Sequence, residues 1–137
     1  MTTTTTNHID TVHAIYAAFA TGDVPTIMGF LDDDIAWDQG VRETGLAWLK
    51  PGRGKAHVLG FFHALVGGMA FTTFEPVTIA GNGDYVVGVV REAGTILATG
   101  KAVEEDLFVH LWRFGADGKI IEVRHIGDFA RQELASR

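Results

Sequence analysis

The chain contains no cysteine, and its only serine is Ser136, the penultimate residue. The first absence excludes a disulfide framework and thiolate chemistry. The second removes the serine nucleophile on which acyl-transfer triads depend. Positive charge is also scarce: 11 Lys and Arg face 17 Asp and Glu, for a formal net charge of −6. With no basic run, neither nucleic acid nor an anionic membrane is an expected partner. No stretch approaches the roughly 20 apolar residues of a membrane-spanning helix. MTTTTTNHID at the N-terminus has neither the basic nor the apolar segment of a secretory signal, so a cytoplasmic location is expected.

Metal and phosphate motifs are missing too. No pair among His8, His13, His57, His63, His110 and His125 has the i,i+4 spacing of a helical zinc site. Gly52-Arg53-Gly54 lacks both a preceding strand and a third glycine, so it reads as a helix entry and not as a phosphate loop. The expectation is a protein without metal or cofactor.

What is present is apolar. Hydrophobic residues make up 47% of the 137, and charged residues 20%. The mean hydropathy of +0.16 is high for a water-soluble monomer of this length and points to an oligomer interface. The length fits one domain. Residues 1–7 read as a disordered polar tail and residues 8–137 as the domain. Ile9, Val12, Ile15, Tyr16 and Phe19 keep helical spacing and predict a helix over 7–21, ended by Gly22. Asp23 caps a second helix, with Pro25 in its first turn. A short strand over 35–38 follows, then a glycine-rich loop over 39–53, long enough to act as a lid. A third helix over 55–66 is apolar nearly all round, which predicts that it is sandwiched. Strands are predicted over 71–80, 85–97, 103–114 and 119–126, and a helical turn over 129–135. Helices first and strands after them indicate an α+β fold with an antiparallel sheet.

The densest information lies in 106–128, two strands around a tight turn. Alternation places Asp106, Phe108, His110 and Trp112 on one face and Leu107, Val109 and Leu111 on the other. Both faces are largely apolar. One should pack on the helices and the other against a second copy of the chain. Ionisable groups set into an apolar sheet are the usual wall of a small-molecule pocket. Asp128 closes the last strand; burial there would make it a better base, whereas at the start of the following turn it would serve as a cap. His110 and His125 are candidate partners in proton transfer, and equally candidate core histidines. Tyr16 could offer a hydroxyl, and Trp37, Phe108 and Trp112 aromatic walls. Trp48 suits a pocket mouth or an interface.

The relation among these groups depends on register. With a four-residue loop, Phe114 pairs with Lys119 and His125 faces Phe108. With a type I turn and glycine bulge, Gly115 pairs with Lys119, His110 faces Arg124 and Asp106 faces Asp128. The two arrangements expose different sites.

The segments AFATGDVPTIMGFLDDDIAW, GRGKAHVLGFFHAL and HLWRFGADGKIIEVRHIGD together resemble the SnoaL-like group of the NTF2-like superfamily, which includes polyketide cyclases and relatives of ketosteroid isomerase. The resemblance covers residues 8–135. It implies a cone: three N-terminal helices packed on a strongly curved antiparallel sheet around a pocket for a small hydrophobic ligand, with no cofactor and commonly a homodimer. It implies isomerase- or cyclase-type acid–base chemistry on a carbonyl-bearing substrate, or else a binding module without turnover. Asp128 matches the cyclase acid/base, with His110 and His125 assisting. Val123-Arg124 stands where the cyclases have His-Trp. The isomerase base and tyrosine positions fall on Gln39 and Ile15, one residue from Asp38 and Tyr16. Asp106, Arg124 and Asp128 would supply the acid–Arg–acid set of the epoxide-hydrolase branch, in the second register only.

Overall fold

The computed structural model describes residues 2–137. Helix α1 (Thr3–Ala20) begins where Thr2 accepts a hydrogen bond from the Thr5 amide. The expected disordered tail is therefore corrected for residues 2–7; residue 1 lies outside the described residues. The threonines are helical because Thr5 is buried and its hydroxyl donates to the Gly83 carbonyl. A tertiary contact thus overrides weak helix propensity. Gly22, with φ +71°, turns the chain into α2 (Val24–Gly29), capped by Asp23 through the Thr26 amide.

Strand β1 (Leu31–Trp37) and the two-residue β2 (Gly52–Arg53) bracket the long loop. Helix α3 (Lys55–Gly68) buries Val58, Phe62 and Leu65 but leaves Leu59 and Val66 exposed. It covers the sheet with one face and is not sandwiched. Four long or medium strands follow: β3 (Met69–Asn82), β4 (Tyr85–Ile96), β5 (Ala102–Phe114) and β6 (Ile120–Ile126). Helix α4 (Phe129–Ala135) ends the chain.

All six strands form one sheet in the order β2-β1-β6-β5-β4-β3. The sheet is mixed where an antiparallel one was expected. β1 enters from the helical half of the chain and lies parallel to β6, with Trp37 beside Val123; the other pairs are antiparallel. The class remains α+β. Register shifts interrupt the ladders near Thr73, Thr78, Glu92 and Phe114. Each such bulge bends its strand and adds twist, which curls the sheet toward the helices.

The inner face carries Val86, Val90, Phe108, Trp112, Phe114 and Val123 against Val12, Ile15 and Tyr16 of α1 and Phe62 of α3. A second cluster joins the 39–53 loop to α4 through Leu46, Trp48, Leu49, Leu65, Met69 and Ala135. On the outer face Val87, Leu107 and Ile126 remain exposed. No helix among the described residues is long and apolar enough to cross a membrane.

Candidate functional site

Between the helices and the inner face lies a cavity that encloses about 740 Å³ of space free of atoms, its open mouth included. Its wall is almost wholly apolar and aromatic: Phe19 from α1, Trp37 from β1, Trp48 and Leu49 from the loop, Phe61 and Phe62 from α3, and Phe71, Phe74, Phe108 and Trp112 from the sheet. Six polar or titratable side chains break this surface or stand directly behind it. They are Tyr16, Glu92, His110, His125 and Gln132 in the wall, and Asp38 behind His125.

The hairpin register that positions the histidines matches neither alternative. The turn itself is the bulged one: Gly115 N–H donates to the Lys119 carbonyl, Gly118 has φ +83°, and Phe114 faces Ile120. One residue later the ladder slips again, so that Arg113 faces Glu122 and Ile121 is left over. This second bulge brings His110 opposite His125. Their rings meet edge to face, 5.0 Å between centroids.

His125 is held from behind. Both carboxylate oxygens of Asp38 lie about 3 Å from Nδ1, at 3.1 and 3.0 Å, and Oδ1 also accepts the His125 backbone N–H at 2.7 Å. A carboxylate only accepts, so in the neutral imidazole Nδ1 carries the proton and Nε2 keeps its lone pair. Asp38 is completely buried, and its own N–H donates to the Val123 carbonyl. It has φ +51°, which among the described residues makes it the one non-glycine residue in the left-handed region. That conformation costs on the order of 1–2 kcal/mol. It aims the carboxylate back at β6, where an extended residue would have continued the strand.

His110 is tied to the helical layer. Tyr16 Oη lies 2.8 Å from His110 Nδ1. Gly88 makes this possible: a Cβ there would stand 2.0 Å from the Tyr16 hydroxyl. Burial, and then the neighbouring His125, hold His110 well below the usual imidazole range, while burial pushes Tyr16 up. Both are therefore neutral near pH 7 and own two polar protons between them. One is spent on their mutual hydrogen bond; the other remains, on Tyr16 Oη or His110 Nε2, as a donor.

Glu92 stands further along β4, opposite Glu105 on β5. Burial raises its pKa to about 7, opposed by the attraction of His125 and reinforced by Glu105. Burial raises Glu105 as well; its Oε1 accepts the Asp128 N–H and its Oε2 has no partner. At the mouth, Trp48 Nε1 donates to Gln132 Oε1 at 2.7 Å.

Of the residues singled out from sequence, Tyr16, Trp37, Phe108, His110, Trp112 and His125 converge on the cavity. Three do not. Asp128 projects into solvent with its side chain 56% exposed, beside Arg131. It occupies the N-cap position of α4, yet its carboxylate caps nothing. The last pair between β5 and β6 is Val109 with Ile126, so β6 releases the chain before Asp128 can turn inward. Asp106 is exposed and faces no carboxylate. Arg124 pairs across from Leu111 on the outer face, its guanidinium against Gly40. The acid–Arg–acid arrangement is thereby corrected: its three members do not meet in the cavity.

Asp38, Glu92 and Gln132 were missed. Asp38 falls at the end of a predicted strand, and only its proximity to the isomerase position marked it. Glu92 had a readable signal, a lone acid in a valine-rich strand. Gln132 had none. Among the described residues no three His, Asp or Glu side chains converge to hold a metal ion.

A family model described as a SnoaL-like domain matches residues 12–123, most of the chain. The chain belongs to the SnoaL-like domain family. No curated protein matches it in sequence. Solved structures do match this SnoaL-like domain. An NTF2-like protein of unknown function from Burkholderia pseudomallei is 22% identical, with a TM-score of 0.84 over 98% of both chains. TerC, co-crystallised with polyporic acid, is 26% identical, with a TM-score of 0.76 over 95% of this chain and 98% of its own. A putative polyketide cyclase from Pseudomonas putida is 19% identical, with a TM-score of 0.74 over 93% and 96%.

Proposed function

We propose that this SnoaL-like domain is a cofactor-independent acid–base enzyme of the isomerase or cyclase type, acting on a hydrophobic, carbonyl-bearing molecule. The observation that carries the reading is the fully buried Asp38 behind His125, a base with a fixed tautomer at the edge of an apolar cavity. Asp128, which the sequence put forward as the base, has no part in it.

In this mechanism His125 Nε2 takes a proton from the carbon next to the substrate carbonyl. Asp38 keeps Nδ1–H in place and stabilises the imidazolium that forms. Negative charge moves to the carbonyl oxygen, where the spare proton of the Tyr16–His110 pair is available as a hydrogen-bond donor. The imidazolium then returns its proton to the same or a neighbouring carbon; in a cyclisation the enolate carbon attacks a second carbonyl of the substrate and the imidazolium protonates the alkoxide that forms. The apolar wall excludes water that would compete for these hydrogen bonds. TerC was co-crystallised with polyporic acid, which supports a small organic ligand for the corresponding cavity.

The test uses 2-tetralone, a bicyclic ketone with acidic α-protons, in deuterated buffer. Wild-type protein should speed deuterium uptake over buffer, and H125A should lose about 100-fold or more of that acceleration, the scale of one general base. D128N should match wild type. Absence of acceleration with a range of apolar ketones, although they bind, would leave the domain a ligand carrier.

The exposed apolar outer face supports one further proposal, a homodimer formed through that face, with Leu107 (66% exposed) and Ile126 covered by the second copy.

A further inference from the structure

The polar groups of the cavity are not all at His125. Glu92 lies four residues beyond Gly88, the residue that faces His110. At about 3.3 Å per residue, that places the two groups roughly 13 Å apart along the strand. Phe108 stands between them, 5.5 Å from the His110 ring and beside Val90. A second, smaller recess borders the main cavity, sharing Met69, Phe71, Glu92 and Gln132 with it and lined also by Glu105.

The hydrogen-bonding capacity around this recess is unspent. Glu92 is only 8% exposed, and among the described residues no group donates a hydrogen bond to its carboxylate. Glu105 Oε2 is buried without a partner. Gln132 is 3% exposed; its Oε1 is taken by Trp48, which fixes the orientation of the amide, and its Nε2 donates to no group among the described residues. Buried polar groups are nearly always paired, so such a set points to a missing partner. That partner must both donate, for the carboxylates, and accept, for the Gln132 amide. A hydroxyl does both. A ketone cannot donate, so it satisfies neither Glu105 nor Glu92 once Glu92 is ionised. An ammonium group cannot accept, and it would meet the Gln132 N–H groups while giving up its hydration.

We propose that Glu92 and Gln132 form a second polar pole that binds a hydroxyl group at the end of an apolar ketone ligand remote from its carbonyl. This rests on reading the His125 end as a ketone site. Above about pH 7, where Glu92 is ionised, it accepts a hydrogen bond from the hydroxyl, and Gln132 Nε2 donates to the hydroxyl oxygen. Trp48 acts through Gln132 as a positioning residue.

Two probes separate the poles: 2-acetylnaphthalene and 6-hydroxy-2-acetylnaphthalene, titrated calorimetrically into the full chain. Wild type should bind the hydroxylated ketone at least tenfold more tightly. In E92L and in Q132M that preference should fall below threefold, while affinity for the unsubstituted ketone holds. Equal affinity of wild type for the two probes overturns the proposal, as does failure of both to bind, or survival of the tenfold preference in either variant. Because binding is read without turnover, the outcome is independent of deuterium exchange. A hydroxyl preference without exchange sinks the catalytic reading alone, and exchange without a preference sinks this one alone.

Discussion

Asp38 does for His125 what no other described residue is placed to do. It fixes the tautomer from a left-handed backbone position that few residue types tolerate. Glu92 is the second unusual residue, and its burial has a thermodynamic consequence. A carboxyl whose pKa is raised to about 7 in the folded chain holds its proton more tightly there than when unfolded. The stability this contributes is fully present below about pH 4.5 and is lost as pH rises through about 7. E92Q removes the titration. The unfolding free energy of E92Q minus that of wild type should therefore grow by about 3 kcal/mol between pH 4.5 and pH 8 in urea titrations. His110 titrates in both proteins and cancels in the difference, whereas the repulsion between Glu105 and Glu92 is part of the shift that E92Q removes. A difference that stays flat, or shrinks with pH, contradicts the burial of an unpartnered Glu92. At this scale the sequence was a partial guide. Alternation on β5 correctly brought Phe108, His110 and Trp112 to one face. It misplaced Asp128 because it carried the inward phase of the last strand two residues past the point where the ladder ends.

At the scale of elements, bulges decide the site. A turn motif read from Ala116-Asp117-Gly118 gives the right loop, yet the further slip at Ile121 follows from how β6 bends to meet β1, a tertiary demand with no local signature. The same holds for α1, whose threonine start depends on the β3–β4 turn 78 residues away. The roof of the cavity is built from the 39–53 loop and α4, joined in two ways: an exposed ion pair between Arg42 and Glu133, and the buried Trp48–Gln132 hydrogen bond within an apolar cluster. Exposed pairs contribute about 0–1 kcal/mol, whereas removal of a buried tryptophan costs about 3–5 kcal/mol. R42A should thus lower the unfolding free energy by no more than about 1 kcal/mol, and W48A by about 3 kcal/mol or more, measured by urea denaturation. Equal losses would mean that the roof is held by charge.

For the whole molecule, the order of helices and strands and the three sequence segments were enough to specify an α+β SnoaL-like domain. The parallel pairing of β1 with β6 was not readable, because a seven-residue strand between helices carries no information about which edge it joins. The apolar outer face was readable as a second hydrophobic phase of β5, and a homodimer is the proposal that accounts for it. Sedimentation analysis should give a dimer for wild type and a shift toward monomer for L107K, which places a charge on the most exposed apolar residue of that face. A wild-type monomer at micromolar concentration contradicts the dimer and leaves the cavity untouched.

The most direct measurement for the central claim is a crystal structure of the protein soaked with 2-tetralone. The account places the α-carbon of the ketone within about 3.5 Å of His125 Nε2, the reach of a near-attack geometry, with the carbonyl oxygen toward Tyr16 and His110. A ketone bound outside the cavity, or bound inside with its α-carbon away from His125, would contradict it.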